Sequence, residues 1–255
     1  MLTGVTVTGA DFSVKPSELA EVAAVCPWVE FGILWNGSPH PSPRFPPMDW
    51  MLELLADAQP KHNLKLSLHL CGQGCRDFLD GVFLSRPEPL GSRWKRCQIN
   101  THGVPHTFDP RRLRKTVRKI TSNGQQVIFQ YDKVNTDILL SCVGHHVYDD
   151  YENGDFSIAS LFDLSHGGGV LPEKWEHPLL KTKIPCGFAG GLSPENVAQQ
   201  IEKILEAAGD VPFWIDAETG LRTDDLRQFD LAKVVRFLEA AKPYVASQET
   251  NRSAP

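Results

Sequence analysis

The segment Cys186-Gly-Phe-Ala-Gly-Gly-Leu-Ser-Pro-Glu-Asn196 joins a short apolar run to a glycine turn and a helix start. Gly190 and Gly191 allow the chain to turn sharply after the apolar run, because glycine adopts backbone angles that other residues avoid. Pro194 is suited to the first turn of a helix. The segment is therefore typical of a β-strand that leads into a helix, the repeating unit of parallel sheets.

Similar short apolar runs recur along the whole chain and predict eight strands. These runs are Val5–Thr8, Val29–Leu34, Leu64–Cys71, Arg96–Thr101, Gln126–Tyr131, Ile158–Leu164, Pro185–Gly190 and Phe213–Ala217. Caps and apolar periodicity predict helices between them at Lys15–Val25, Pro47–Ala58, Pro110–Ile120, from Ser193-Pro194 to before Gly209, and at Leu231–Val245.

Eight strands alternating with helices predict an α/β fold, a single (β/α)₈ TIM barrel. The alternative is a doubly wound open sheet. That fold usually has fewer strands and a glycine-rich turn after the first, whereas here the turn follows the seventh. We expect one domain over residues 1–246 and a disordered polar tail over residues 247–255.

The composition favours an ordinary globular protein, with 41% hydrophobic and 22% charged residues. A net charge of −5 gives no reason to expect a nucleic acid or an anionic membrane as partner. The basic residues of Pro110–Ile120 fit the solvated face of an outer barrel helix. No apolar run is long enough to span a bilayer, and the N-terminus lacks the pattern of a signal peptide, so we expect a cytoplasmic location.

The six cysteines are scattered, and most lie in apolar surroundings, which favours free buried thiols over disulfides. Cys71 and Cys75, with His69 and His102, offer an alternative reading as a metal site. Their spacing does not demand one, and we expect no metal.

Two glycine turns, after the seventh and eighth predicted strands, indicate a phosphate site. Gly190 and Gly191 in the first turn, and Gly220 in the second, can bring backbone N–H groups close to an anion, and Thr219 can add a hydroxyl. The alternative is that the paired glycines only turn the chain into its helix. Their place at the end of the barrel where such sites occur favours phosphate.

The sequence resembles phosphoribosylanthranilate isomerase, the tryptophan-pathway enzyme family. The segments that carry the resemblance are Ala189–Val197, Asp216–Gly220 with Phe229-Asp230, Phe162–Gly169 with Trp175, Ser42-Pro43-Arg44, and Gln98–Gly103. The resemblance is specific in the C-terminal half and loose between Gln73 and Phe156.

The resemblance implies a barrel of the ribulose-phosphate-binding type. It also implies an Amadori rearrangement of a phosphorylated ribosylamine, a reaction that needs an acid and a base but no cofactor. It places Asp163 at the acid position and Arg44 where a substrate carboxylate is held. Asp216 and Gln98 then become candidate substrate-binding residues, with His166 as an alternative acid.

The base position departs from the family, because Thr8 stands where the resemblance implies a cysteine. A threonine hydroxyl is too weak an acid to serve as a base without an activating partner. Asp11 could substitute, since the sister isomerase of histidine synthesis uses two aspartates, although Asp11 could equally be a turn residue. Two hypotheses follow: a phosphosugar isomerase, or a phosphate-binding barrel that has lost isomerase activity and has a binding, regulatory or different catalytic role. The oligomeric state is left open.

Overall fold

The computed structural model describes residues 1–38, 40, 42–82, 93–102, 104, 106–131, 134–146, 157–165, 167–178 and 184–246. The strands are Leu2–Thr8 (β1), Val29–Trp35 (β2), Leu66–Leu70 (β3), Arg96–Ile99 (β4), Gln126–Tyr131 (β5), Ile158–Asp163 (β6), Cys186–Ala189 (β7) and Phe213–Ala217 (β8). They form a closed barrel in sequence order, with β1 paired to both β2 and β8 and every pair parallel. The predicted (β/α)₈ barrel is therefore confirmed.

The helices lie between the strands in sequence. They are Pro16–Val25 (α1), Met48–Glu53 (α2), Gln59–His62 (α3), Gly72–Leu79 (α4), Pro110–Thr121 (α5), Thr136–His146 (α6), Val197–Ala208 (α7) and Leu231–Ala241 (α8), and a π-helix, Leu54–Ala58, joins α2 to α3. Between β6 and β7 the described residues form no helix. No described helix is long and apolar enough to cross a membrane.

The predicted caps explain where several helices begin. Asp109 accepts hydrogen bonds from the backbone N–H groups of Arg111 and Arg112 at the start of α5, and Asp230 accepts one from Lys233 in α8. The helix expected to open at Pro194 begins later, at Val197, because the Asn196 side chain bonds the main chain of Ser193 and Gly191 and closes a turn first.

The short helix α3 and the longer helices α4 and α6 were not predicted. α4 begins at Gly72 and contains Gly74, and glycine has a low helix propensity. α6 buries Ile138, Leu139 and Cys142 on one side, a spacing typical of a helix.

The predicted free thiols are confirmed, since all six cysteines are unpaired and five of them are buried. The predicted tail, residues 247–255, lies outside the described residues.

The barrel interior is unusually polar on the side of β1 to β4. Inward positions alternate along each strand, so Thr6, Glu30 and Arg96 face the interior, where they share hydrogen bonds. The Arg96 guanidinium bonds both oxygens of Glu30 and stacks over the Trp214 ring at 4.5 Å. An apolar cluster of Ile128, Ala159, Leu161, Ala189 and Trp214 fills the opposite side.

Candidate functional site

A pocket opens at the C-terminal ends of the strands, where the active sites of such barrels lie. Its empty volume is about 490 Å³, part of it open to solvent. Among the residues predicted from the sequence, the structure brings eight together in its lining: Thr8, Gln98, Asp163, Gly190, Gly191, Asp216, Thr219 and Gly220. Asp11 and Arg44 are not part of this lining.

Asp163 ends β6 and is held by three hydrogen bonds. The Gln130 side chain donates to one carboxylate oxygen at 2.7 Å, and the backbone N–H and hydroxyl of Ser165 donate to the other at 2.8 and 2.7 Å. The carboxylate is therefore fixed in one orientation at the edge of the pocket. Gln130, one strand away on β5, was not predicted.

Asp216 lies on β8 and is buried beside Thr8. The Thr8 hydroxyl donates to its Oδ1 at 2.7 Å. Burial raises the pKa of Asp216 to about 7, a shift that the Thr8 hydrogen bond opposes and the nearby Glu218 carboxylate reinforces. Asp216 can thus gain or lose a proton near neutral pH.

The two carboxyl groups flank a small residue. Asp163 is paired in register with Ala189, and Ala189 is paired with Asp216 on the other side. Because neighbouring strands lie ~4.8 Å apart, the two aspartate backbones are about 10 Å apart across the pocket. A small molecule between them can contact both carboxyl groups.

The glycine turns form one wall of the pocket, and their loops pack against each other. Gly190 and Gly191 have φ angles of 120° and 63°. A Cβ atom at Gly191 would overlap the Leu171 backbone, and one at Gly220 would overlap the carbonyl oxygen of Leu192. These glycines are therefore required for the close approach of loops, in addition to any approach of a ligand.

Asp11 lies outside the pocket, in a buried ion pair. Its Oδ2 is 2.8 Å from Nη2 of Arg222, and both side chains are almost fully buried. The carboxylate also accepts bonds from Ser13 and from the backbone of Arg44. With its oxygens occupied in this way, Asp11 braces the loop after β1 and is not positioned as the base that the sequence suggested.

Arg44 is paired within the protein, which differs from the role implied by the resemblance. Its Nη1 lies 2.8 Å from Oε1 of Glu218, which lines the pocket. Burial raises the pKa of Glu218, and Arg44 opposes that shift. Arg222, four residues after Glu218 in the sequence, is engaged instead with Asp11 and the Gly9 carbonyl.

His69 on β3 also lines the pocket. The sequence indicated it only as a ligand of the alternative metal site. Its Nδ1 is 3.2 Å from Nε2 of Gln98, which donates at 2.9 Å to Asn100. The alternation of polar Ser67 and His69 with leucines along β3 is the signal that places His69 inside the barrel. His166 and Gly103 lie outside the described residues, among which no group of three or more metal-ligating side chains gathers.

These features define a (β/α)₈ barrel whose acidic pocket is enclosed by the loops after its last three strands. No family model matches the chain. Over 94 residues it is 33% identical to the N-(5'-phosphoribosyl)anthranilate isomerase of Geobacter sp. (strain M21), covering 36% of this chain and 43% of that protein. The enzyme of the same name from Methanoregula boonei is 33% identical over 86 residues, which are 33% of this chain and 40% of that protein.

The alignments with these curated relatives span less than half of their length, and over that part they confirm the resemblance seen in the sequence. Among solved structures, phosphoribosyl anthranilate isomerase from Thermus thermophilus matches with a TM-score of 0.56 and 13% identity, covering 95% of this chain and 100% of that one. Phospho-2-dehydro-3-deoxyheptonate aldolase from Thermotoga maritima matches with a TM-score of 0.54 and 11% identity, covering 95% and 69%. At these identities the structural matches show the fold alone.

Proposed function

We propose that the protein binds a phosphorylated sugar conjugate and catalyses an aldose–ketose isomerisation of the Amadori type. The observation that carries the proposal is the Asp216 carboxyl group, which lies in the pocket with a pKa raised to about 7. A group that transfers protons is most effective when its pKa lies near the working pH.

The rearrangement requires one group to protonate the sugar ring oxygen and another to remove the proton from C2. Asp216 fits the second role, because its Oδ1 lies 2.7 Å from the hydroxyl of Thr8, the residue that replaces the family's cysteine. Asp163, on the other side of Ala189, fits the first role, as the resemblance implies. In this proposal two aspartates share the proton transfers.

The phosphate group of the ligand is proposed to bind at the glycine turns. Gly190, Gly191, Thr219 and Gly220 all line the same pocket as the two aspartates. A ligand held there by its phosphate would extend its sugar toward Thr8 and Asp216. Binding energy from the phosphate would then orient the reacting carbon atoms.

The test is turnover of N-(5'-phosphoribosyl)anthranilate as a function of pH. We expect kcat/KM to rise with pH through about 7 as Asp216 loses its proton. Asp216→Asn should lower kcat/KM by roughly 10²- to 10⁴-fold and remove this pH dependence. Asp225→Asn, which changes an exposed aspartate, is the control, and an unchanged rate in Asp216→Asn would overturn the proposal.

A barrel that binds phosphate without isomerase activity is the second candidate. The replacement of cysteine by Thr8 favours it, because a hydroxyl contributes little as a base. Retained binding of inorganic phosphate, with no turnover in either the wild type or Thr8→Cys, would support this candidate. Turnover gained by Thr8→Cys would show that the remaining groups are already in position for the reaction.

A further inference from the structure

His69 is a buried histidine at the floor of the pocket. It lies on β3, is fully buried, and is one of the residues that line the pocket. Gly32 lies on the neighbouring strand, β2. A Cβ atom at Gly32 would lie 2.9 Å from the His69 Nε2 and would overlap the Thr8 hydroxyl, so His69 and Thr8 approach the same point from two sides.

The tautomer of the ring follows from the orientation of the Gln98 side-chain amide. The amide nitrogen of Gln98 has two hydrogens, one directed to the side-chain oxygen of Asn100 and the other to Nδ1 of His69. Nδ1 is therefore an acceptor, and the proton of the neutral ring lies on Nε2. Burial, together with the charge of Arg96, lowers the pKa of His69 to about 3, so the ring is neutral at physiological pH.

The Nε2–H group has no acceptor among the described residues. Leaving a buried donor without a partner costs about 1–3 kcal/mol, so such groups are rare unless a ligand or water completes them. Here the donor belongs to a residue that lines the pocket beside Thr8. The arrangement is that of a hydrogen-bond donor prepared for a ligand oxygen.

We propose that His69 is a further substrate-binding residue, whose Nε2–H donates a hydrogen bond to a hydroxyl or carbonyl oxygen of the bound sugar. The inference rests on the proposed function, since it places a sugar next to Thr8 and Asp216. A neutral donor strengthens its bond as negative charge develops on that oxygen, and it does so without releasing its proton.

Two probes separate the sugar contact from the phosphate contact. Ribulose 5-phosphate carries a sugar and a phosphate group, whereas inorganic phosphate has no sugar. His69→Met, which removes the donor, should weaken binding of ribulose 5-phosphate about tenfold and leave the affinity for inorganic phosphate unchanged. His69→Gln, which keeps an N–H donor, should recover part of the loss. Ser67→Ala is the matched control, because Ser67 Oγ is a buried polar group on the same strand, also without a partner among the described residues, and it does not line the pocket.

A direct readout on the wild type covers the case in which the His69 variants are poorly folded. Nitrogen-15 NMR of the histidine rings should show His69 neutral with its proton on Nε2. Addition of ribulose 5-phosphate should move the Nε2–H signal downfield, while inorganic phosphate should leave it in place.

The outcomes distinguish the two proposals. If the wild type binds neither probe, the proposed function fails, and the role of His69 fails with it. If the wild type binds both probes but His69→Met keeps the same preference for ribulose 5-phosphate and the ring signal does not move, the role of His69 alone is overturned.

Discussion

Asp11 and Arg222 form a charge pair that is almost completely removed from solvent. Their side-chain exposures are 2% and 0%, and their charged atoms are 2.8 Å apart. We expect Asp11→Asn to lower the free energy of unfolding by about 3–5 kcal/mol, because it leaves the Arg222 charge buried without a carboxylate. Urea unfolding measures this change.

The control for this substitution is an ion pair of the same type on the surface. Asp224, which is 99% exposed, lies 2.7 Å from Lys233. Asp224→Asn should cost less than about 1 kcal/mol. If Asp11→Asn were as stable as the wild type but lost turnover, Asp11 would be the base, and its assignment to bracing the loop would be wrong.

The charge pairs also show which contacts of the site could not be predicted from the sequence. Thr8, Asp163 and Asp216 were predicted as site residues from the resemblance and from their places at or next to strand ends, which the barrel brings together. The pairing of Arg44 with Glu218, 174 positions away, depends on how two loops meet. Periodicity and motifs carry no information on that contact.

The loops after β6 and β7 meet at Gly191, and substitution of this glycine tests how much their contact matters. A Cβ atom at Gly191 would overlap the backbone of Leu171, and its φ angle is 63°. We expect Gly191→Ala to separate the two loops and to weaken phosphate binding together with folding stability. Isothermal titration with inorganic phosphate and thermal unfolding measure the two effects.

Gly209, at the end of α7, is a control glycine with a similar positive φ angle. Its φ angle is 59°, but a Cβ atom there would meet nothing within 4 Å. Gly209→Ala should therefore show only the backbone cost, roughly 1–3 kcal/mol, and leave phosphate binding intact. Equal effects of the two substitutions on both measurements would show that the loop contact does not matter.

The helices that the sequence missed also reflect tertiary contacts. Gly74 in α4 lies against Trp35, so close that a Cβ atom would come within 3.0 Å of the indole ring. The glycine that lowers helix propensity is therefore used to bring α4 onto β2. Local propensity alone argues against this helix, whereas the buried positions Cys75, Phe78 and Leu79 have helical spacing.

At the scale of the whole molecule, the number and order of the strands were enough to predict closure of the barrel. The polar character of its interior was not predicted, because it follows from inward-facing residues on different strands. Thr6, Glu30 and Arg96 share hydrogen bonds across β1, β2 and β4. The charge of Arg96 partly opposes the rise in the pKa of Asp216, so a charge in the barrel interior influences the proton affinity of the site.

The raised pKa of Asp216 makes the stability of the whole molecule depend on pH. In the unfolded chain this carboxyl group loses its proton near its ordinary pKa of 3.8, whereas the folded protein keeps the proton up to about 7. Between these values the folded state binds one more proton than the unfolded state. Stability should therefore fall as the pH rises from about 4 to 7 and level off above that, by an amount on the order of 4 kcal/mol at most.

Asp216→Asn isolates this contribution, because asparagine does not titrate. Urea unfolding of the wild type and the variant from pH 4 to 8 should give curves that diverge, with the variant gaining stability relative to the wild type as the pH rises to 7. Asp210→Asn, at an exposed aspartate before β8, should instead give a curve that runs parallel to the wild type. Glu218, whose pKa is also raised, contributes the same trend to the wild type and to Asp210→Asn. Because its charge interacts with Asp216, its contribution is smaller in Asp216→Asn, which adds to the divergence of that curve. If the Asp216→Asn curve also ran parallel to the wild type, Asp216 would be ionised throughout this range, and the proton transfer proposed for it would lose its basis.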